Sequence, residues 1–183
     1  MNLEGNKLGD SAVGQLCDAI ITNFSLRKLN LGKNFLSDKV TEKVSRMLEL
    51  NSSLEELYLQ WNQIKSQGGT NLVNGLQQAP KLRVLDLSWN SLGQNGSQFA
   101  KSFAAYIAGN TTLIHLDLSN NYINKEDTKI IAEDLKANHS LYGLHFHGNM
   151  GYVDFKGFLV ALENLDTLSG RVSQPAINSF HKV

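Results

Sequence analysis

The three histidines His115, His145 and His147 carry the side chains best suited to metal or proton chemistry in this chain. His145 and His147 are two residues apart, so on a strand both would point to one face, roughly 7 Å from each other. A zinc site needs four ligands, and no cysteine or well-placed carboxylate completes a set here. We therefore predict no metal. A pH-dependent contact with a partner and ordinary surface histidines both remain open interpretations.

A second group combines aromatic and acidic side chains. Trp61 and Trp89 are the only tryptophans, and the 28 residues between them predict that they lie side by side with Tyr58 near them. These residue types dominate the energetically important centres of protein interfaces, although the two rings could equally form a structural pair. Asp86 and Asp117 are predicted to form a small acidic strip, which suits a lysine or arginine of a partner or is simply solvated. The predicted partner-binding residues are Tyr58, Trp61, Trp89, Asp86, Asp117, His145 and His147.

Motifs for catalysis are not found in the sequence. It contains no phosphate-cradling glycine loop, no zinc signature, and no Cys/His or Ser/His pair in a motif context. The glycines occur mostly singly, at turns. We therefore predict a non-enzymatic protein without a cofactor.

The elements that must position these residues come from one phrase that returns five times: Leu, two free residues, Leu, one free, Leu or Phe, two free, Asn. Its copies start at Leu26, Leu54, Leu82, Leu113 and Leu141, at spacings of 28, 28, 31 and 28 residues, and a partial copy opens the chain as Leu3, Asn6 and Leu8. Self-similarity at a fixed period indicates a solenoid.

Each copy predicts a short strand followed by a helix. Leu85 and Leu87 are two apart and face one side, so stacked copies build a continuous core. The closing asparagines can satisfy the backbone where the chain turns out of each strand, because an amide both donates and accepts. This predicted structural ladder is Asn6, Asn34, Asn62, Asn90, Asn121 and Asn149.

Apolar residues at helical spacing follow each asparagine, for example Val40, Val44, Met47 and Leu48. Ser37-Asp38 and Asp127-Thr128 are predicted N-cap regions. A second set of asparagines is predicted to end the helices in the left-handed conformation. Its members, Asn23, Asn51, Asn110 and Asn138, also match the glycosylation pattern, as does Asn95, but repeat geometry already explains the four.

The phrase resembles the ribonuclease-inhibitor-like subclass of leucine-rich repeats, and residues 51–64 (NSSLEELYLQWNQI) show it in full. The resemblance covers residues 1 to about 163. It implies an α/β fold: a right-handed horseshoe-shaped solenoid with a parallel β-sheet on the concave face and helices on the convex face. Members of this subclass include ribonuclease inhibitors, activators of the Ran GTPase, sensor arms of NOD-like receptors, tropomodulin-like actin caps and axonemal components. Nearly all are intracellular and bind protein on the concave sheet.

Within that subclass, residues 145–154 look like endings of cytoskeletal or ciliary leucine-rich repeat proteins. An activator of the Ran GTPase would use a catalytic-site arginine and an acidic tail. The tail here carries Arg171, His181 and Lys182, which counts against that branch.

Composition limits the partners and the compartment. Lys plus Arg and Asp plus Glu number 17 each, so charge gives no case for nucleic acid or an anionic membrane surface. Apolar runs such as Phe158–Leu162 are too short to span a bilayer. Cys17 is the only cysteine and is expected to be a buried apolar residue, which favours a reducing compartment and a cytoplasmic location, with a cytoskeletal or ciliary one as a variant.

The two ends set the predicted domain limits. The first copy is incomplete, which predicts either a fragment of a longer protein or membership of a larger assembly that covers this edge. Residues 1–163 are predicted as one leucine-rich repeat domain, with a last helix from Asp154 to about Leu162. Residues 164–183 are predicted as a C-terminal cap or tail. The expected function is a protein-binding scaffold or adaptor that uses the concave face; the alternatives are a structural subunit of a cytoskeletal or axonemal assembly and a regulator of a small GTPase.

Overall fold

A computed structural model describes residues 1–162. Every full copy of the leucine phrase forms a strand of three residues with its middle leucine facing inwards. The strands are β1 (Lys28–Asn30), β2 (Glu56–Tyr58), β3 (Val84–Asp86), β4 (His115–Asp117) and β5 (Gly143–His145). They pair in chain order as one parallel five-stranded sheet. The partial first copy extends it, because Asn2 forms a parallel bridge with Asn30.

The register aligns equivalent positions of successive copies. Leu29 pairs with Leu57, Leu57 with Leu85, Leu85 with Leu116, and Leu116 with Leu144. Directly after the strands, Leu31, Leu59, Leu87 and Leu118 form a second inner column, and each is at most 1% exposed. In the fifth copy Phe146 takes the leucine position and is also buried. The stacked copies therefore share one core.

A helix follows each of the first five strand positions, counting the partial copy. The helices are α1 (Gly9–Ile20), α2 (Asp38–Leu50), α3 (Ser66–Leu76), α4 (Gln98–Gly109) and α5 (Lys125–Leu135). Helix α2 buries Val40, Val44, Met47 and Leu48, as the spacing predicts. Each helix packs on the next in chain order. Helices need about 8–10 Å between axes but strands only about 4.8 Å, so the array curves with the sheet on its concave face.

Two predicted helix starts have different outcomes. Ser37 is the N-cap of α2, where its hydroxyl accepts a hydrogen bond from the N–H of Lys39 at 3.3 Å. The N-cap of α5 is Asn124, whose side chain accepts from the N–H of Asp127 at 2.8 Å. The prediction of Asp127-Thr128 was therefore wrong, because an asparagine three residues earlier supplies the cap.

The asparagines that close the copies lie in one column on the carboxyl side of the strands. In a typical member, the Nδ2 of Asn62 donates to the carbonyls of Leu31 and Leu59, at 3.2 and 2.9 Å. Its Oδ1 accepts from the N–H groups of Asn34 and Leu36, at 3.0 and 2.9 Å. Each amide thus bonds turn backbone of its own copy and of the preceding one. Asn34, Asn62, Asn90, Asn121 and Asn149 are all buried, whereas Asn6 at the end of the column is exposed.

The second set of asparagines does not end the helices in the left-handed region. Asn51 and Asn110 have φ of −86° and −69° with extended ψ values. Their amides make a second column on the amino side of the strands. The Nδ2 of Asn51, for example, donates to the carbonyls of Ile20 and Asn23, both at 2.8 Å. The left-handed prediction was wrong because these side chains are needed between copies.

This second column is interrupted where Ala79 stands in place of asparagine. In the next copy, Asn110 turns its Oδ1 to the hydroxyl of Tyr106, which donates at 3.1 Å. A cavity of about 440 Å³ opens here, lined by Ala79, Pro80, Tyr106 and Asn110 among others.

The end of the described chain differs from the prediction. In place of a helix from Asp154 to Leu162, strands β6 (Gly151–Val153) and β7 (Leu159–Ala161) form an antiparallel hairpin that packs on α5. Leu159 is 6% exposed and joins the core. The predicted cap or tail, residues 164–183, lies outside the described residues.

Candidate protein-binding surface

The three-residue strands present their first and third side chains away from the helices. Because the strands are in register, third-position residues become neighbours in one row across the concave sheet face. That row is Asn30, Tyr58, Asp86, Asp117 and His145. Three residues further along the chain, each copy has a turn position. We use the name rim for these five positions, which are Lys33, Trp61, Trp89, Asn120 and Gly148.

Trp61 and Trp89 stack on each other at the rim. Their ring centroids are 4.1 Å apart and their planes differ by 8°. The stack is structural in part, yet the side chains remain 47% and 44% exposed. The backbone fixes their spacing, because the N–H of Trp61 donates to the carbonyl of Ser88 at 3.0 Å and that of Trp89 to Ser119 at 2.9 Å. The two indoles thus form a rigid, half-exposed aromatic platform beside the sheet.

The backbone under this platform is in an unfavourable conformation for tryptophan. Trp61 and Trp89 have φ of 56° and 54°, in the left-handed region. That region costs an ordinary residue roughly 1–2 kcal/mol, and it suits glycine or asparagine. Of the other rim positions, Asn120 and Gly148 are types that the conformation favours, whereas Lys33, at φ 55°, is not. The backbone therefore gives no reason for tryptophan at this place, which directs attention to what the rings can do.

Asp86 and Asp117 lie directly opposite each other on adjacent strands. One oxygen of each is used locally: Asp86 Oδ1 accepts from the N–H of Ser88 at 2.9 Å, and Asp117 Oδ1 accepts from the N–H of Ser119 at 2.8 Å. Burial raises the pKa of Asp86, and the charge of Asp117 adds to that rise, while hydrogen bonds from Ser88 and the nearby His115 oppose it.

The acidic residues at the other end of the sheet are neutralised. Ion pairs join Glu56 to Lys28 at 2.8 Å, Glu4 to Lys33 at 3.0 Å, and Glu55 to Arg27 at 3.6 Å. Among the described residues, the two carboxylates at the centre of the sheet face, Asp86 and Asp117, form no ion pair with a lysine or arginine.

Tyr58 belongs to a polar cluster that the sequence interpretation missed. Its hydroxyl donates to Glu56 Oε2 at 2.7 Å, and Lys28 Nζ lies 3.3 Å from the hydroxyl and 4.7 Å from the ring centroid. Burial and the hydrogen bond to Glu56 raise the pKa of Tyr58. The signal in the sequence was the equivalent strand position of Lys28 and Glu56, one copy apart. The hydroxyl of Tyr58 is hydrogen-bonded and Lys28 lies over its ring, so both parts of this side chain already have a contact.

The histidines separate into two contacts. The rings of His115 and His145 lie 5.0 Å apart at 53°, and His115 leans over Gly143, where any larger side chain would collide. His147 Nδ1 is 2.8 Å from Ser119 Oγ, and the two residues hold equivalent positions one copy apart, which the repeat spacing predicts to be neighbours. Ser119 is only 1% exposed, so this pair gives no accessible nucleophile. In the described part of the chain, no three His, Cys, Asp or Glu side chains are grouped to hold a metal ion.

The thiol of the single cysteine is also buried. Cys17 is fully enclosed, and desolvation raises the pKa of its thiol to about 12. A thiol with that pKa is not a thiolate at neutral pH, so it is chemically inert. Among helices α1–α5, none is long and apolar enough to cross a membrane.

Comparison with known proteins finds similarity to one repeat family in part of the chain and to one solved fold. The family model described as "Leucine Rich repeat" matches residues 50–73, 78–97 and 109–127. No curated protein matches the chain in sequence. Among solved structures, the chain is similar to "Leiomodin-1 Actin-Binding Site 2 (ABS2)" with a TM-score of 0.64 and 20% sequence identity, over 75% of this chain and 78% of that one. At that identity the likeness extends to the fold alone.

Proposed function

We propose that this chain, which contains leucine-rich repeats, is a non-enzymatic, cytoplasmic protein-binding scaffold that takes its partner on the concave sheet face. The stacked Trp61–Trp89 platform supports this most directly. Two half-exposed tryptophans on a backbone that disfavours them lower the stability of the fold, and a binding role of the rings would account for their presence. Stacked indoles offer a large, pre-ordered apolar contact that loses little entropy on binding.

The partner segment that fits this surface carries a basic residue. Asp86 and Asp117 supply two adjacent carboxylates without a lysine or arginine of their own. An arginine serves both parts of the surface, because its guanidinium bonds carboxylates bidentately and stacks on aromatic rings. In this proposal Asp86 and Asp117 hold the charge and the tryptophans hold the flat face or a neighbouring apolar side chain.

The other predicted residues form the flanks. His145 lies opposite Asp117 and His147 contacts Ser119, so both stand on the C-terminal side of the acidic pair. Tyr58 lies opposite Asp86 on the N-terminal side.

A second candidate is a structural subunit of a cytoskeletal or ciliary assembly. One observation favours it: the similar solved structure is described as an actin-binding site of leiomodin-1. For the repeats themselves we favour the ribonuclease-inhibitor-like subclass, because α1–α5 supply a helical second half. Activation of a small GTPase is a third candidate, and it has only the subclass resemblance behind it.

The test compares variants of the full chain. Proximity labelling in the source cell would first identify the partner. Trp61→Ala with Trp89→Ala should then weaken its binding by about 30-fold or more, as expected for central interface aromatics. The control is Tyr122→Ala with Tyr142→Ala, which removes two aromatics that are 65% and 85% exposed and lie outside the platform. Circular dichroism should show the same helix content in all three proteins.

Charge is tested separately. Asp86→Asn with Asp117→Asn should weaken binding and flatten its dependence on salt, because the screened attraction is gone. Unchanged affinity in the double tryptophan variant would reject the proposed surface. Co-sedimentation with filamentous actin that survives that variant would instead favour the cytoskeletal candidate, and stimulated hydrolysis by a purified GTPase the third.

A further inference from the structure

The chain contains two Asn-Gly pairs, Asn74-Gly75 and Asn95-Gly96. In such a pair, the backbone nitrogen of the glycine can attack the side-chain carboxamide carbon of the asparagine. The missing side chain of glycine leaves that nitrogen open to the approach. Whether the attack happens in a folded protein depends on how freely the two groups can meet.

Asn95-Gly96 is free to react. Both residues are exposed in the loop before α4, with φ of 66° and 112°. Apart from Gly96 and its two chain neighbours, no described residue has a heavy atom within 4 Å of the place that a Cβ of Gly96 would occupy. Across residues 1–162, no other group hydrogen-bonds the carboxamide of Asn95 or the N–H of Gly96. Nothing in the described structure therefore holds the nucleophile and the electrophile apart.

Asn74-Gly75 is held. Both residues lie inside α3, where backbone N–H groups are bonded to carbonyls four residues earlier. Gly75 is pressed against α2, since a Cβ built on it would lie 2.6 Å from the Cα of Ser45. Attack at this pair requires local unfolding of the helix and its separation from α2. The chain thus contains a second Asn-Gly pair in which the fold slows the same reaction.

We propose that Asn95 is a site of spontaneous deamidation, through a cyclic imide with Gly96. The Gly96 nitrogen bonds to Cγ of Asn95, its proton is lost to solvent base, and the side-chain nitrogen leaves with a solvent proton as ammonia. Water then opens the five-membered imide at either carbonyl. The products are aspartate and isoaspartate at position 95, with no change of oxidation state.

The products alter the junction between two copies. Each adds one negative charge to a chain whose formal charges balance. The carbonyl of Gly96 accepts a hydrogen bond from Ser66 Oγ at 2.9 Å, which ties this loop to the first turn of α3. Isoaspartate inserts an extra methylene into the main chain just before that carbonyl and would displace it. A carboxylate just ahead of α4, whose N-cap Ser97 makes no side-chain cap hydrogen bond, interacts favourably with the helix dipole.

The experiment incubates the full native chain at mildly alkaline pH and physiological temperature. A brief trypsin digest at mildly acidic pH separates the two sites, because Asn74 falls in the peptide 66–81 and Asn95 in the peptide 84–101. Tandem mass spectrometry places the conversion, and methylation by an isoaspartyl methyltransferase measures the isoaspartate. Asn95 should convert at least about tenfold faster than Asn74, which must wait for local opening. In concentrated urea the two rates should converge.

The matched variant is Asn95→Gln, whose longer side chain closes the ring far more slowly. It should remove the early release of ammonia without changing the circular dichroism. Equal conversion of Asn74 and Asn95 in the native chain would overturn the proposal. So would ammonia release from Asn95→Gln as fast as from the parent chain.

Discussion

Asp86 shows how a single side chain of the proposed binding surface can weaken the fold. Its pKa is raised, first by burial, above the usual value of 3.8. The folded chain therefore binds the proton more tightly than the unfolded chain does, and the ionised carboxylate disfavours folding at neutral pH. The stability contributed by this group rises as the pH falls through its folded pKa, and it is fully present below 3.8.

Asp86→Asn should therefore raise the free energy of unfolding at pH 7. The amide oxygen can still accept the hydrogen bonds of Ser88, so only the charge is removed. The gain over the parent should shrink as the pH approaches 3.8, where the parent carboxyl is itself protonated. Urea unfolding across this pH range measures it. Glu42→Gln on the exposed side of α2 is the control, with an expected effect within about 0.5 kcal/mol. A variant less stable than the parent at pH 7 would contradict the argument.

At the scale of single residues, the sequence predicts the structure where a residue type has only one suitable role. The columns of inward leucines follow from alternation, and an amide at the end of each strand has turn backbone to bond. The same chemistry misled for Asn51 and Asn110, since asparagine suits both a left-handed helix end and a bridge between copies. The positive φ of Trp61 and Trp89 could not be read from residue type, because tryptophan argues against it.

At the scale of elements, helix α3 packs directly against the backbone of α2 at Gly75. Gly75 of α3 faces the backbone of Ser45, whereas Gly14 of α1 has only Lys43 Cγ in range, at 3.8 Å. Alanine is a better helix former than glycine by about 0.5–1 kcal/mol when nothing else changes. The two glycines therefore separate helix propensity from packing.

Gly14→Ala should stabilise the chain by about 0.5–1 kcal/mol, through propensity alone. Gly75→Ala should destabilise it by roughly 1–3 kcal/mol, because α2 must move to admit the methyl group. Thermal and urea unfolding of the two variants and the parent give the comparison. Stabilisation by both substitutions would mean that the helices pack more loosely than described.

Element types were predictable for the repeated part and not for its end. Five leucine phrases with helical spacing between them leave little choice. Phe158–Leu162 is a short apolar run, and such a run suits a strand as well as a helix. With Gly157 at φ 88° ahead of it, the chain instead turns into the β6–β7 hairpin and places Leu159 in the core.

At the scale of the whole molecule, the main contacts within residues 1–162 run between neighbouring copies of the repeat, helix to helix and strand to strand. Helix α1 packs on α2, α2 on α3, and so on to α5 and β7. Such an array behaves nearly as a one-dimensional chain of units, so damage should remain close to where it is made.

Leu29→Ala and Leu116→Ala test this with the same substitution at two places. Both leucines are fully buried, and each change should cost roughly 2–5 kcal/mol. Native-state hydrogen exchange should lose protection mainly in α1, β1 and α2 for the first variant, and mainly in β4, α5 and β5 for the second. Uniform loss across residues 1–162 in either variant would show one cooperative unit instead.

The stacked indole pair also gives the protein an intrinsic optical probe. The only two tryptophans lie 4.1 Å apart in nearly parallel planes, so their electronic transitions couple and light absorbed by one ring is shared with the other. Such coupling changes the ultraviolet absorption of the pair relative to that of isolated indoles. A ligand that spreads, tilts or covers the rings would change that signature and the emission at once, so occupancy could be followed without attaching any dye.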